Sequence, residues 1–544
     1  MVPSSASEER DLTPLVSSPI TVTQFTPAAN SGSQALLFTR DARWLAGIGL
    51  VYALLVIATV FTLHPYFSQT WDVVTFVNAG KSALSPEWNA LYAQSRADRY
   101  WPYAYPPLHA FVVAPFVALA GLVPDWLLVR IPPLLFDIAL GILLYEILAR
   151  RTENKNLARL GMLVWLLNPV TWYDTAVQGH FEAEWLFFIA LAYFLFETKR
   201  SWIVPTLCLA VAFLFKQNAI LFAMPLWALL IFNPEQSVSR RALLFLGSII
   251  VFILPILIVS LPFLLFSNDY WYMNVQYVAD VPLQTQSWLV ALANAFGADN
   301  LFLRASSPLT ILAAVVISIF AARRGMNVWL TAMLIALSFF LLSKKVVGYY
   351  YVMILPFALV TLIPTKHFRL LSLIVVAIAF ISLSPYFASW ANQEHGWLYG
   401  ALGILNSALW LGIFVWLWRN HPLAVQSAQN ARVLAFFSLA LFFTGVLAAL
   451  LQPFIASATS PIRAPLLPSG YELQTFALFG VFLALVGGAI FLTQWFTQSI
   501  ARGERIPRAA YALVVLLAPL YFLTFTLTKE STAALEFALK MLRV

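Results

Sequence analysis

Asp72 heads the segment WDVVTFVNAG, less than three turns past the first long apolar run. A carboxylate at that depth can take the proton of an incoming hydroxyl, the work of a general base in group transfer. Further along, Gln178, His180 and Glu182 sit on a short turn between apolar runs. They can bond sugar hydroxyls or, together with Asp72, complete a weak metal site, since one imidazole and two carboxylates fall within the ligand range of Mn or Mg. Asp174 is either the acid of this turn or a solvated residue. Arg130 and Asp137 lie two turns apart inside one apolar run, where charge is rare enough to be functional or paired, and a structural ion pair is the expectation for Asp137.

The elements that must position these residues are membrane spans. Of the 544 residues 61% are hydrophobic and only 10% charged, with a mean hydropathy of +0.81, which excludes a soluble domain of this length. A bilayer core of roughly 30 Å needs about 20 apolar residues per helical crossing. Runs of that kind recur from Trp44 almost to the C-terminus, giving an all-α polytopic bundle of about 13–15 spans. The plentiful Pro, Trp and Tyr suit broken helices with aromatic anchors rather than a β-barrel. Cys208 is the single cysteine, so there is no intramolecular disulfide and no thiolate metal site. The net charge of +8 comes from cations scattered between apolar segments; they read as topology signals rather than as a nucleic-acid surface.

Orientation follows from those cations. Arg40 and Arg43 hold the N-terminus in the cytoplasm. The cluster Arg150, Arg151, Lys155 and Arg159 also falls inside if the run 106–123, opened by Pro106 and Pro107, lies in the outer interface and only 126–149 crosses. Residues 1–39, rich in Ser, Thr and Pro, read as a disordered cytoplasmic tail without the apolar core of a cleavable signal. The outer face then receives residues 64–105, about 172–182, about 266–306, the Lys344 region, about 388–396 and about 456–472. The first and third are too long for simple connectors, and such loops are usually functional. Phe76, Ala79, Gly80, Ala83 and Leu84 form one face of a short amphipathic helix that fixes the depth of Asp72. Lys344 and Lys345 fall outside against the positive-inside trend, either because an anion needs them or because they snorkel from a helix end. Arg304, closing the third loop, is a further anion candidate.

Five segments carry a family resemblance, in order. Asp72 with its 30-residue loop ending in YWPYAYPPL (100–108) looks like the first luminal loop of the polyprenyl-phosphate-sugar-dependent glycosyltransferases of the GT-C superfamily. RIPPLLFDIALGILLYEIL (130–148) resembles the second span of the dolichyl-phosphate-glucose-dependent glucosyltransferases and the GPI mannosyltransferase. NPVTWYDTAVQGHFEAEWL (168–186) and FLFKQNAILFAMP (213–225) resemble the next luminal turn and the Lys-Gln segment of the glucosyltransferases. SKKVVGYYYVMILPF (343–357) resembles the late Lys-Tyr-Pro segment of the GT-C mannosyltransferases. The resemblance spans roughly residues 44–365, implying a catalytic module over 40–365 with loops 64–105 and 266–306, and additional helices over 366–544.

The resemblance implies that Asp72 is the catalytic base and that Lys216, Lys344 and Lys345 meet the donor phosphate, where ammonium groups stabilise a leaving anion beside lipid. Asp72 is followed by Val73 and Val74, so the paired-acid DxD signature is missing. No cofactor is expected, with a divalent metal as the alternative. Tyr105, Pro106 and Pro107 shape the entry to the interfacial helix, and Tyr105 joins Gln178, His180 and Glu182 as a candidate for the sugar or acceptor. Tyr349, Tyr350 and Tyr351 either stack on sugar or polyprenyl, with Tyr350 the chosen candidate, or are belt aromatics.

The expected function is inverting transfer of a glucose or mannose from a polyprenyl-phosphate donor to a glycan, glycolipid or protein acceptor outside the cytoplasm, in a membrane expected to be a prokaryotic plasma membrane. A transporter or lipid-linked sugar flippase is the alternative. It would show internal repeats with paired broken helices, and none is visible in the sequence.

Overall fold

The computed structural model describes residues 38–67, 71–98, 101–199, 201–281, 283–297, 299–383, 397–421 and 423. The expected tail over 1–39 lies outside them up to residue 37, as do the outer segments 388–396 and 456–472 and every span expected beyond 423. Contacts divide the chain at residue 40. Of the first unit only residues 38–40 are described, as the opening turn of a helix; everything below concerns the second.

The described residues are helical, with a single isolated bridge and no strand. Five helices are long and apolar enough to cross a bilayer: Asp41–Phe61, Asp125–Thr152, Val238–Phe266, Ser306–Arg323 and Gly400–Arg419. The segment expected in the interface is the ten-residue helix Leu108–Val117. At about 1.5 Å per residue it is too short to cross. It lies against the helix Trp71–Leu84, with Gly80 accepting Val113 and Val117. Of the expected amphipathic face, Phe76 and Ala79 are buried, while Leu84 is exposed.

Two apolar stretches are broken in the middle, and each break carries a lysine. Lys216 sits in extended conformation between Ile203–Phe215 and the 3-10 turn Gln217–Phe222. Lys345 sits between Val328–Leu342 and the 3-10 turn Gly348–Ile354. Irregular backbone at membrane depth survives only where protein or a cavity satisfies its polar groups. At the second break the parallel bridge does so: Gln284 N donates to Lys344 O at 2.7 Å and Val346 N to Gln284 O at 2.5 Å.

The basic cluster after Thr152 is neutralised rather than loose. Glu153 ends the helix Ile131–Thr152 in the left-handed region (φ 52°), and the Asn154 side chain caps the next helix, Lys155–Leu166, accepting from Asn156 N and Leu157 N. Arg159 and Lys155 then reach Asp41 at 3.2 and 3.5 Å, and Arg151 pairs with Glu197 at 2.7 Å. Elsewhere, the helix Trp397–Arg419 presses Gly403 against Ser287, whose carbonyl carbon would lie 2.9 Å from an added Cβ. Gly403→Ala must therefore push two backbones apart, an overpacking cost of about 1–3 kcal/mol. Its melting temperature in detergent is expected to fall, while that of Gly412→Ala, with nothing within 4 Å of its Cβ, is expected to stay within a degree or so.

Candidate active site

Asp72 occupies the first turn of the helix Trp71–Leu84, half-buried, with Phe76 one turn further on the same face. Phe76 fixes that helix against a stack of three rings. His180 stacks on Phe181 at 4.8 Å and Phe181 on His109 at 4.0 Å, while Phe76 meets all three edge-on at 4.8–5.5 Å. Behind the stack, His109 Nδ1 bonds Glu184 Oε2 at 2.9 Å, both side chains wholly buried. Each edge contact is worth about 0.5–1.5 kcal/mol beyond area burial. Phe76→Leu, which keeps apolar fill but loses the edges, is expected to lower kcat about tenfold by loosening Asp72, with donor affinity unchanged in an equilibrium binding assay.

The turn carrying His180 is set by a single π turn, Tyr173–Gln178, closed by Gly179 at φ 60°. Glycine is needed twice over there, because an added Cβ would also stand 3.1 Å from Val73 and 3.3 Å from Arg130. His180 N then donates to Asp174 O at 2.9 Å, which folds the turn so that Asp174, His180 and Glu182 converge. Their ligating atoms lie within 4.8 Å of one another, a set able to hold a metal ion. The grouping differs from the expected one: Asp174 stands in it, whereas Asp72 and Gln178 do not. Burial raises the Asp174 carboxyl well above the usual range, helped by the neighbouring Glu182 charge. Burial also lowers His180, with Lys216 adding to the effect, so the imidazole is neutral near pH 7.

Lys216 reaches into this turn from the first helix break. Its ammonium bonds Glu182 Oε1, whose other oxygen accepts from Trp185 Nε1 at 2.5 Å. It also lies 4.0 Å from the centre of the Tyr350 ring and 5.7–5.9 Å from Phe181, Tyr105 and Tyr349, within cation–π range. The Tyr105 hydroxyl meets His180 Nε2 at 3.2 Å, and Tyr349 packs on the His180 ring at 4.3 Å. Lys345 comes from the second break. Burial and the Lys216 charge lower its pKa to about 8, against the opposing pull of Asp72 and Glu182. Asp72 also acts electrostatically on Lys216, His180, Tyr105, Tyr349 and Tyr350, which places its carboxylate near this cluster. Among the described residues neither Asp72 nor Lys345 has an ion-pair partner, whereas Lys216 is paired with Glu182.

Three expectations are met differently. Lys344 turns away from the enclosure and donates to Ala279 O on the third outer loop. Arg304 is 71% exposed beside Asp299 and lies outside the cluster. The ion pair between Asp137 and Arg130 does not form. Asp137, wholly buried, accepts from the hydroxyls of Tyr52 at 2.7 Å and Thr175 at 2.6 Å, while Arg130 donates to the carbonyls of Ala176 at 2.8 Å and Trp126 at 2.5 Å. Seven residues of helix separate the two by roughly 10 Å along the axis, so each finds nearer partners. Arg130 thereby holds the His180 turn from below through Ala176.

Residues 104–263 match the family model described as dolichyl-phosphate-mannose-protein mannosyltransferase. The match starts one residue before Tyr105 and includes His180, Glu182 and Lys216, but neither Asp72 nor Lys345. Among solved structures, the crystal structure of ArnT from Cupriavidus metallidurans in the apo state is similar at 16% identity, covering 89% of this chain and 77% of that one, with a TM-score of 0.41. No curated protein matches the chain. The matched segment, residues 104–263, agrees with the glycosyltransferase class read from the motifs.

Proposed function

We propose that the chain transfers a hexose from a polyprenyl-phosphate donor to an acceptor hydroxyl on the extracytoplasmic side, with inversion at the anomeric carbon and Asp72 as general base. The observation that supports it most directly is the pairing of two unneutralised groups, Asp72 and Lys345, across one aromatic enclosure. An inverting displacement asks for that pair: a base on the acceptor side and a cation on the departing phosphate. Lys345 takes the phosphate as it leaves and Lys216, tethered to Glu182, adds field behind it. Tyr105, Gln178, His180 and Tyr350 line the sugar, with the neutral imidazole able to bond a hydroxyl without competing for the proton.

The description of the matching family favours mannose as the sugar and a protein hydroxyl as the acceptor. The test is transfer of radiolabelled mannose from polyprenyl-phosphate mannose in proteoliposomes, with glucose as the competing donor, followed by assignment of the product anomer. Inversion with mannose is the expected result. Retention of configuration, or donor translocation without transfer, overturns the proposal.

A further inference from the structure

The Asp174, His180 and Glu182 turn has the donor chemistry of a transition-metal site. Two carboxylate oxygens and one imidazole nitrogen are all donors that zinc and other divalent ions accept. The outer partners are in place as well. Tyr105 engages His180 Nε2, leaving Nδ1 facing the carboxylates, and Trp185 fixes the far oxygen of Glu182. Nδ1 lies 3.3 Å from Glu182 Oε1 and 3.9 Å from Asp174 Oδ1, close to the roughly 3.3 Å edge of a tetrahedron with metal bonds of about 2.05 Å. Both His180 Nδ1 and Asp174 Oδ1 are buried with no hydrogen-bond partner. Such atoms are costly unless something occupies the space they face.

What stands against this set is a cation from the chain itself. We propose that Asp174, His180 and Glu182 form a divalent-cation cradle blocked from within, the Lys216 ammonium holding the Glu182 ligand that a Zn(II)-like ion would need. The ammonium bonds Glu182 Oε1 and is backed by the Tyr350 face, so its place is fixed on two sides. Among the described residues it has no ion pair with Asp174, and the Asp174 and His180 ligand atoms stay orphaned. A divalent ion entering the cradle must displace a charge that is covalently present at very high local concentration. The intact chain is therefore a poor metal binder, and deleting the ammonium makes it a good one.

The inference is independent of any sugar donor, and so is its test. Co(II) is titrated into the purified full-length protein, Lys216→Ala and Lys216→Ala/His180→Ala, reading the visible d–d absorption and bound metal by mass spectrometry. Lys216→Ala is expected to bind one Co(II) per chain at least 100-fold more tightly than the parent, and the double variant is expected to lose that gain. Lys216→Met, which keeps the stem volume, serves as the second variant should Lys216→Ala fail to fold. There, Zn(II) is expected to raise the melting temperature of the variant and not that of the parent. Equal affinity in parent and variant, or binding in neither, overturns the proposal. Failure of the parent protein to transfer sugar, with the Co(II) result intact, would count only against the proposed function.

Discussion

Asp72→Asn is expected to reduce sugar transfer by about 10²–10⁴-fold, the range spanned by positioned general bases, while leaving donor binding within about twofold. The asymmetry follows from the neighbouring acids. Glu182 is committed to Lys216 and Trp185, and Asp174 is buried in the same turn, folded back by the bond from His180 N to its carbonyl. Neither can replace the missing base. Single-turnover transfer measured beside equilibrium donor binding separates the two effects. Transfer within about tenfold of the parent would mean that the proton leaves through another group.

The second large effect is expected at Lys345, which has no ion-pair partner among the described residues. Lys345→Met should lower kcat/KM for the donor by about 10²–10³-fold, as for loss of one preorganised donor to a developing anion. Its pKa of about 8 adds a pH signature. Because burial and Lys216 depress this lysine, its ammonium is complete well below pH 8 and is lost as pH rises through that value. In the parent, kcat/KM is expected to be level below about pH 8 and to fall nearly tenfold per unit above it. Lys345→Arg, always charged, should keep much of the activity and lose the alkaline limb. A limb that persists in Lys345→Arg would assign it to another group.

Much of this site was legible because its charges stand out in an apolar chain. Asp72, His180, Glu182, Lys216 and Lys345 are conspicuous for the same reason, that charge beside lipid is expensive, and the structure gathers them. The balance of arginines pointed to a run over 106–123 that does not cross, and the helix found there, Leu108–Val117, is ten residues long. Pairings between distant segments were not legible. The His109 and Glu184 bond joins residues 75 positions apart, and nothing in either local pattern announces the other, although a histidine inside PPLHAF was a signal that could have been weighed. Asp137 and Arg130 illustrate the opposite error. Nearness along one helix suggested a pair, whereas the partners came from Tyr52, Thr175 and Ala176 on other segments. Arg304 was placed by loop position, and a loop 40 residues long has room to leave its last arginine in solvent.

The backbone bridge between Gln284 and the Lys345 segment bears on how such a protein can be remodelled. Grafting a foreign third loop would carry away the backbone partner that aligns the Lys345 segment. Loop and lysine are in that sense stitched together, and a chimera that exchanges one must transplant both halves of the seam.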